Sequence, residues 1–263
     1  MNFEREFEGR RVIVTGACGV FGRMLAKAFA EAGARVCLTD RGEADLKALF
    51  AEIKPASGSF ICAADLTDDG SMETLLAAVG ETWGAPDILI NNAGIYPSGF
   101  LLDIDVAEWD RILDINLRAP FVLTRGVALQ MINAGHGGAV VNVSSGASRK
   151  MRRTVVPYCT SKTALDRLTK GFALELAEYG IRVNALEPGF AAGSTASPLT
   201  DEHVKRVIST MPLGRASDEG DVVPATFYLC SEAASFVTGA TLTVDGGNSI
   251  GSLDVYQAKK TAL

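Results

Sequence analysis

The sequence is poor in the residues that build metal and disulfide chemistry. Its 263 residues include two histidines, His136 and His203, and five cysteines, at 18, 37, 62, 159 and 230. No cysteine pair has C-x-x-C spacing, and neither histidine sits in a cluster of ligand spacing. Neither a zinc site nor a disulfide framework is expected, and a reducing, cytoplasmic compartment suits the thiols. Positive charge is also short: the formal net charge is −6, which argues against nucleic-acid binding through overall positive charge. No apolar run approaches the roughly 18 residues of a membrane span, so no membrane association is expected. The opening "MNFEREFEGRR" lacks the apolar stretch of a signal peptide. A Pro/Ser-rich linker and a compositional break are missing too, so residues 1–263 read as one domain. The tail, 248–263, has no strong periodicity and reads as a docking arm or a frayed end.

What is present is a globular composition, 48% hydrophobic and 21% charged, ample for a sizeable core. Short apolar runs alternate with longer helical patterns. Strands are expected at 11–16, 35–40, 59–65, 87–94, 139–145, 181–189 and 240–247. Several are rich in Val, Ile and Leu without alternation, as in strands covered on both faces. Between them, 22–33 and 71–84 carry apolar residues at three- and four-residue spacing. The two longest helical patterns run over roughly 105–133 and 157–178, and Gly33 stands where a helix C-cap is expected. Repeated strand–helix–strand units imply an α/β fold: a doubly wound, Rossmann-like parallel sheet with helices on both faces.

The first strand-to-helix turn, "VIVTGACGVFGRML", sets Gly16, Gly19 and Gly22 where a tight backbone approaches a pyrophosphate at a helix N-terminus. Asp40 ends the next strand, 24 residues after Gly16 (40 − 16). A carboxylate there accepts hydrogen bonds from an adenosine ribose and repels a 2′-phosphate, which favours NAD over NADP. Arg41 follows directly and works against that preference.

"YCTSK" puts Tyr158 and Lys162 one helical turn apart on one face. A phenol has a pKa of about 10 and is a poor base at neutral pH. One positive charge about 4 Å away is worth about 4 kcal/mol at an effective dielectric of ~20, or roughly three pKa units. Tyr158 would then serve as general base toward an alcohol and general acid toward a ketone.

"TGACGVFG", "DLT" at 65–67, "NNAG" at 91–94, Asn116 in "DINLRAPF", "VNVSS" at 141–145, "YCTSK", "EPG" at 187–189 and "VDGG" at 244–247 occur in the order of the short-chain dehydrogenase/reductase family. The chain resembles that family, in its single-domain form, over residues 9 to 247. The resemblance implies a catalytic set of Asn116, Ser145, Tyr158 and Lys162. Ser145 is chosen over Ser144 because it lies 13 residues before Tyr158 (158 − 145), the family's offset. Its hydroxyl would hydrogen-bond the substrate oxygen. The same resemblance gives Lys162 the nicotinamide ribose hydroxyls, Asn116 a water in a proton relay, Asp65 the adenine and Asn92 the adenosine ribose. Pro188 and Gly189 fall against the nicotinamide amide, and Val20, Phe21, Leu66, Gly94 and Ala191 complete the implied NAD-binding set. It also implies a homodimer or homotetramer packed through the two long helices, acting on a small-molecule substrate.

Two features depart from the family pattern. The usual glycines stand at the places of 16, 20 and 22, whereas here Val20 replaces the second and Gly19 precedes it. Four residues after Gly189, where a threonine is common, stands Gly193, followed by Ser194 and Thr195. Two rival classes fit the sequence less well. A serine hydrolase needs a G-x-S-x-G elbow, which "VSSGA" lacks, and a later histidine base, for which His203 has no supporting signature. A non-catalytic dinucleotide sensor on the same fold has no need of all four tetrad residues.

The loop "GASRKMRRTVVP" carries Arg149, Lys150, Arg152 and Arg153. It suits a substrate carboxylate, phosphate or sulfonate, or else is a solvated loop or subunit-contact patch. The alcohol would then be a sugar, polyol or anionic sugar derivative. Residues 190–212, with Pro198 and Pro212 near the ends, read as an irregular lid.

Overall fold

The computed structural model describes residues 6–193, 200–251 and 253. Seven strands form one sheet: β1 (Arg11–Thr15), β2 (Arg35–Asp40), β3 (Phe60–Ala63), β4 (Ile88–Asn91), β5 (Gly138–Val143), β6 (Ile181–Pro188) and β7 (Thr241–Val244). Their spatial order is β3-β2-β1-β4-β5-β6-β7. Every pairing is parallel. The order reverses between β1 and β4, which opens a crevice at their carboxyl ends.

Alternation along the strands separates two apolar layers. Val12 and Val14 of β1 face one side with Val36, Leu38 and Val141, and Ile13 faces the other with Leu89, Val140 and Val183. Helices α1 (Val20–Glu31), α2 (Glu43–Ile53) and α8 (Glu219–Cys230) supply the first layer through Leu25, Phe29, Leu46, Leu49, Val222 and Leu229. Phe7, Phe29 and Phe227 close it as an aromatic cluster with centroids 4.6 to 5.2 Å apart. Helices α3 (Asp69–Trp83), α5 (Ala119–Asn133) and α6 (Val156–Leu176) supply the second through Met72, Leu75, Leu123, Val127 and Ala173.

The expected elements differ from the structure in three places. The long pattern 105–133 is two helices, α4 (Val106–Leu113) and α5, joined by a π turn over Asp114–Arg118. β4 stops at Asn91 because the amides of Asn92 and Ala93 both donate to Thr15 Oγ1, at 3.0 Å each, instead of continuing the ladder. The segment expected to be an irregular lid contains helix α7 (Asp201–Ser209), capped by Thr200, whose Oγ1 accepts from the amide of His203. Pro198, Ser194 and Thr195 lie outside the described residues. Gly193 has φ of +92°, a conformation that excludes the threonine common at its place.

Candidate active site

Because all strands run the same way, their carboxyl ends meet on one edge of the sheet, and the residues singled out from the sequence gather there. The glycine turn follows β1. Gly16 takes φ of +60°, and a Cβ there would lie 2.8 Å from Ala93 Cα. A Cβ on Gly22 would lie 2.0 Å from the carbonyl oxygen of Gly16, so the turn and the helix close on each other only without side chains. Gly19 is the N-cap of α1 in extended conformation, and Val20 and Phe21 open the helix. No side chain caps this helix and no acid stands in its first turn. Its N-terminal amides and positive dipole end are thus suited to a phosphate.

Asp40, at the end of β2, hangs over the turn: Oδ2 accepts from the amide of Cys18 at 3.0 Å and Oδ1 from that of Arg41 at 2.8 Å. Burial, then Asp40 itself, pushes the Cys18 thiol up to about 11. Asp65 follows β3, its Oδ1 accepting from the Thr67 amide and hydroxyl at 2.9 and 2.8 Å. Those bonds hold its carboxyl below the usual range. Leu66 beside it turns its side chain into the core. Asn92 braces the glycine turn, its Nδ2 donating to the carbonyls of Thr15 and Gly16 at 2.9 and 3.0 Å. Its amide nitrogen is engaged inside the protein, which its sequence motif alone does not reveal. An uncapped helix start, a collision-closed glycine turn and a carboxylate at the second strand fit a dinucleotide.

Across the crevice, three successive residues leaving β5 each meet α6. Ser145 stands beside the phenol of Tyr158, close enough to favour its ionised form, and its Oγ accepts from the Ala147 amide at 3.2 Å. The carbonyl of Val143 accepts from Lys162 Nζ at 2.7 Å. Ser144 Oγ donates to Asp166 Oδ1 at 2.6 Å. Tyr158, Lys162 and Asp166 are spaced four apart, so they share one stripe of the helix. Pro157 occupies its first turn, where the missing N–H costs nothing.

Asn116 lies fully buried in the π turn. Its Oδ1 accepts from the Ile95 amide at 2.9 Å, and its Nδ2 donates to the Ile95 carbonyl at 2.8 Å and to Ser161 Oγ at 3.0 Å. Ser161 Oγ in turn donates to the carbonyl of Tyr158 at 2.7 Å. The π turn thus ties the segment after β4 to the start of α6, a placement typical of such turns at functional sites. Gly94 stands between: a Cβ there would be 3.4 Å from Asn116 Oδ1 and 3.5 Å from Lys162 Nζ. Sequence reasoning missed Ser161 and Tyr96, whose ring is 5.8 Å from that of Tyr158. Ser161 lies inside the quoted Y-x-x-x-K motif, and only its contacts mark it.

The expected pairing of Lys162 with the phenol needs correction. Lys162 Nζ reaches past the ring to Val143 and lies 5.8 Å from the ring centroid of Tyr158. Burial raises the phenol's pKa, opposed by Ser145 beside it and by the charge of Arg152. Lys162 is itself only 4% exposed, and burial pushes it down to about 8 against the favourable charge of Asp166. Desolvation is thus the dominant influence on the phenol.

The basic loop after β5 splits into two pairs. Arg149 forms an ion pair at 2.7 Å with Glu187, whose side chain is 0% exposed, and donates to Thr243 Oγ1 and Ser249 Oγ. Glu187 also accepts from Ser148 and Thr243. Lys150 Nζ donates to the carbonyl of Asn248 at 2.8 Å. These two cations hold the loop to β6, β7 and the start of the tail at Asn248 and Ser249, and most of the tail beyond lies outside the described residues. Arg152 and Arg153 are exposed, and Arg153 stacks 5.2 Å from the ring centroid of Phe100. Thr154 takes φ of +69°, strained for a β-branched residue, and its carbonyl accepts from the Gly99 amide at 2.8 Å. Phe100, Leu102 and Met151 leave an apolar rim around this side. The Gly189 amide donates to Val244, and a Cβ on Gly189 would collide with Ser217 and Asp245. Pro188 ends β6 and Ala191 lies half-buried just beyond.

Fold and site together define a doubly wound protein with a dinucleotide crevice and a tyrosine–lysine helix beside it. A family model described as Enoyl-(Acyl carrier protein) reductase matches residues 16–249. Sorbitol dehydrogenase of Cereibacter sphaeroides is 32% identical over 252 residues, 92% of this chain and 98% of that protein. L-xylulose reductase of Homo sapiens is 38% identical over 244 residues, 91% of this chain and 96% of that protein. The crystal structure of a gluconate 5-dehydrogenase from Burkholderia cenocepacia J2315, in complex with NADP and tartrate, superposes with a TM-score of 0.85. It is 31% identical, covering 95% of this chain and 100% of that one. The chain belongs to the short-chain dehydrogenase/reductase family of oxidoreductases. Among the described residues no helix is long and apolar enough to cross a membrane.

Proposed function

We propose that this protein is an NAD-linked dehydrogenase that moves hydride between the nicotinamide and a secondary alcohol or ketone of a polyol or sugar derivative. The observation that carries the reading is the Tyr158–Lys162 face of α6 with Ser145 beside it at the exit of β5, set across one crevice from the glycine turn and buttressed by Asn116. The bound nicotinamide would take hydride from the alcohol carbon or return it to the carbonyl carbon. Ser145 Oγ holds the substrate oxygen and Tyr158 Oη takes its proton. Lys162 Nζ, steadied by Val143, would bind ribose hydroxyls and favour the phenolate. Asn116 keeps the start of α6 and the segment after β4 in register.

Gly16, Gly19, Val20, Phe21 and Gly22 would take the pyrophosphate, and Asp40 the adenosine ribose. Asp65, Leu66, Asn92 and Gly94 would line the adenosine side, and Pro188, Gly189 and Ala191 the nicotinamide side. Asp40 supports NAD because its carboxylate would face a 2′-phosphate. Arg41 and the NADP in the Burkholderia cenocepacia structure are the contrary observations. Asp40→Ala should lower the NAD-to-NADP preference at least fivefold, and equal affinity for both cofactors in the unaltered protein would overturn the NAD assignment.

Polyol and sugar substrates are supported by the names of the relatives and by the small polar groups at the site. With Arg149 and Lys150 tied to the fold, an anionic substrate has Arg152 and Arg153 to meet it. The test is NAD⁺ reduction against paired neutral polyols, sugars and sugar acids. Turnover of none of them sinks the reading, and an unchanged KM for sugar acids in Arg152→Ala and Arg153→Ala sinks the anionic part. The exposed Phe121 and Leu129 on α5 and Leu174 on α6 support a homodimer or homotetramer formed through those helices. Sedimentation of Leu174→Asp as a smaller species than the unaltered protein would bear this out. The five free thiols suit a cytoplasmic setting.

A further inference from the structure

The three contacts between the exit of β5 and α6 form a series. Ser145 meets Tyr158, the Val143 carbonyl meets Lys162, and Ser144 meets Asp166. The first two rungs belong to the reaction proposed above. The third repeats their geometry with a carboxylate, one turn beyond a lysine that is almost wholly removed from water.

Lys162 has one hydrogen-bond acceptor at 2.7 Å, a neutral carbonyl. A buried ammonium with no charged partner is costly. The groups facing it from the neighbouring elements are neutral. They are Val143, Ser144 and Ser145 at the exit of β5, Asn116 in the π turn, and Tyr96 after β4, whose ring lies tilted 5.8 Å from that of Tyr158. Tyr158 and Asp166 face it along α6. Arg152 acts from the substrate loop, and its charge is felt at Tyr158. Among the described residues Asp166 is the anion whose field reaches Lys162. A carboxylate on an exposed helix turn would swing into solvent, but the 2.6 Å bond from Ser144 holds it toward the strand.

We propose that Asp166, clamped by Ser144, is a positioning residue that keeps Lys162 protonated during alcohol oxidation. The inference rests on the reaction proposed above. Asp166 touches neither substrate nor cofactor and acts through Lys162. It also assigns the two adjacent serines different work, Ser145 on the substrate oxygen and Ser144 on the counter-charge.

The experiment is the pH dependence, from pH 6 to 10.5, of kcat/KM for NAD-linked oxidation of sorbitol or xylitol. It is read in the unaltered enzyme, Asp166→Asn, Asp166→Glu and Ser144→Ala, with NADH binding measured by fluorescence over the same range. Removing the charge lets Lys162 lose its proton earlier. Asp166→Asn should therefore move the alkaline limb to lower pH by about one unit, a loss of about tenfold at pH 9 with less than twofold change at pH 6.5. NADH affinity should weaken along the same displaced limb. Asp166→Glu should restore the position, and Ser144→Ala should give a smaller shift in the same direction. Profiles that superimpose after scaling would mean that Asp166 only supports the helix, and would overturn the proposal. If no alcohol is turned over, the functional reading fails by itself, and an unmoved NADH-binding limb would then count separately against Asp166.

Discussion

The two halves of the site proposed above, one for cofactor and one for substrate, are built on opposite terms. From β1 to β3 the cofactor side is made of backbone. Glycines close the turn, helix amides stand open, and the few side chains involved bond to neighbouring main chain. From β5 to β7 the substrate side is made of long side chains, and its charges are satisfied far along the sequence. Arg149 meets Thr243 and Ser249, 94 and 100 residues away, and Lys150 meets Asn248, 98 residues away. Backbone geometry is written in local motifs. Long-range charge pairing is not, and this decides where sequence reading succeeds.

The comparison breaks most visibly at Gly22. A methyl group there would overlap the Gly16 carbonyl, with backbone on both sides and no room to yield. Gly22→Ala should cost about 4 kcal/mol or more in chemical denaturation and abolish NADH binding. A variant that binds NADH normally would show the turn to be less tightly closed than described.

Lys162 provides the next largest effect. Its pKa falls to about 8 in the folded chain from the ordinary lysine value of 10.5. Below pH 8 both folded and unfolded states hold the proton, and the folded state bears the full cost of the buried charge. Between about 8 and 10.5 the folded state gives up its proton first, so that cost fades as pH rises. Cofactor-free Lys162→Met should therefore gain relative to the unaltered protein by up to about 3 kcal/mol at pH 7, and the gap should narrow by about 1 kcal/mol at pH 9. Parallel stability curves across that window would contradict the assignment of burial as the cause.

Glu187→Gln tests the substrate half. Arg149 is 44% exposed and can turn to water, so the loss is about 2 kcal/mol rather than that of a fully buried pair. The loop from 146 to 153 would be freed, so KM should rise while NADH binding stays. Arg153→Ala is the smallest change, about 0.5 kcal/mol through its exposed stacking on Phe100. Equal effects from the two substitutions would erase the distinction between the anchored and the exposed cations.

The parallel sheet was legible because Val- and Ile-rich runs lie buried on both faces, and their limits agree within a few residues. Helix α8 was not, because Pro224 and Gly220 interrupt its pattern. Helix α7 was not, because it is short and none of its residues is buried. The π turn has no hydrophobic signature and was absorbed into one long helix. In the site, Tyr158, Lys162, Ser145 and Asn116 could be chosen because their spacing matches a known pattern. The direction in which Lys162 points could not. The geometry of α6 permits contact with the phenol, and the open carbonyl at the end of β5 draws the amine elsewhere. Glu187 gave no signal at all, since a carboxylate near the end of a strand looks like any solvent-facing acid until its burial is known.

The central claim is that Tyr158 is the acid–base group. Its most direct test compares Tyr158→Phe with the unaltered enzyme in NAD⁺-linked oxidation of a substrate found in the polyol and sugar-acid assay, with NADH affinity measured in parallel. The account predicts a fall in kcat of about 10²- to 10⁴-fold with NADH affinity within about twofold, because the ring remains and only the hydroxyl is lost. Turnover within about tenfold of the unaltered enzyme would show that the proton leaves by another group.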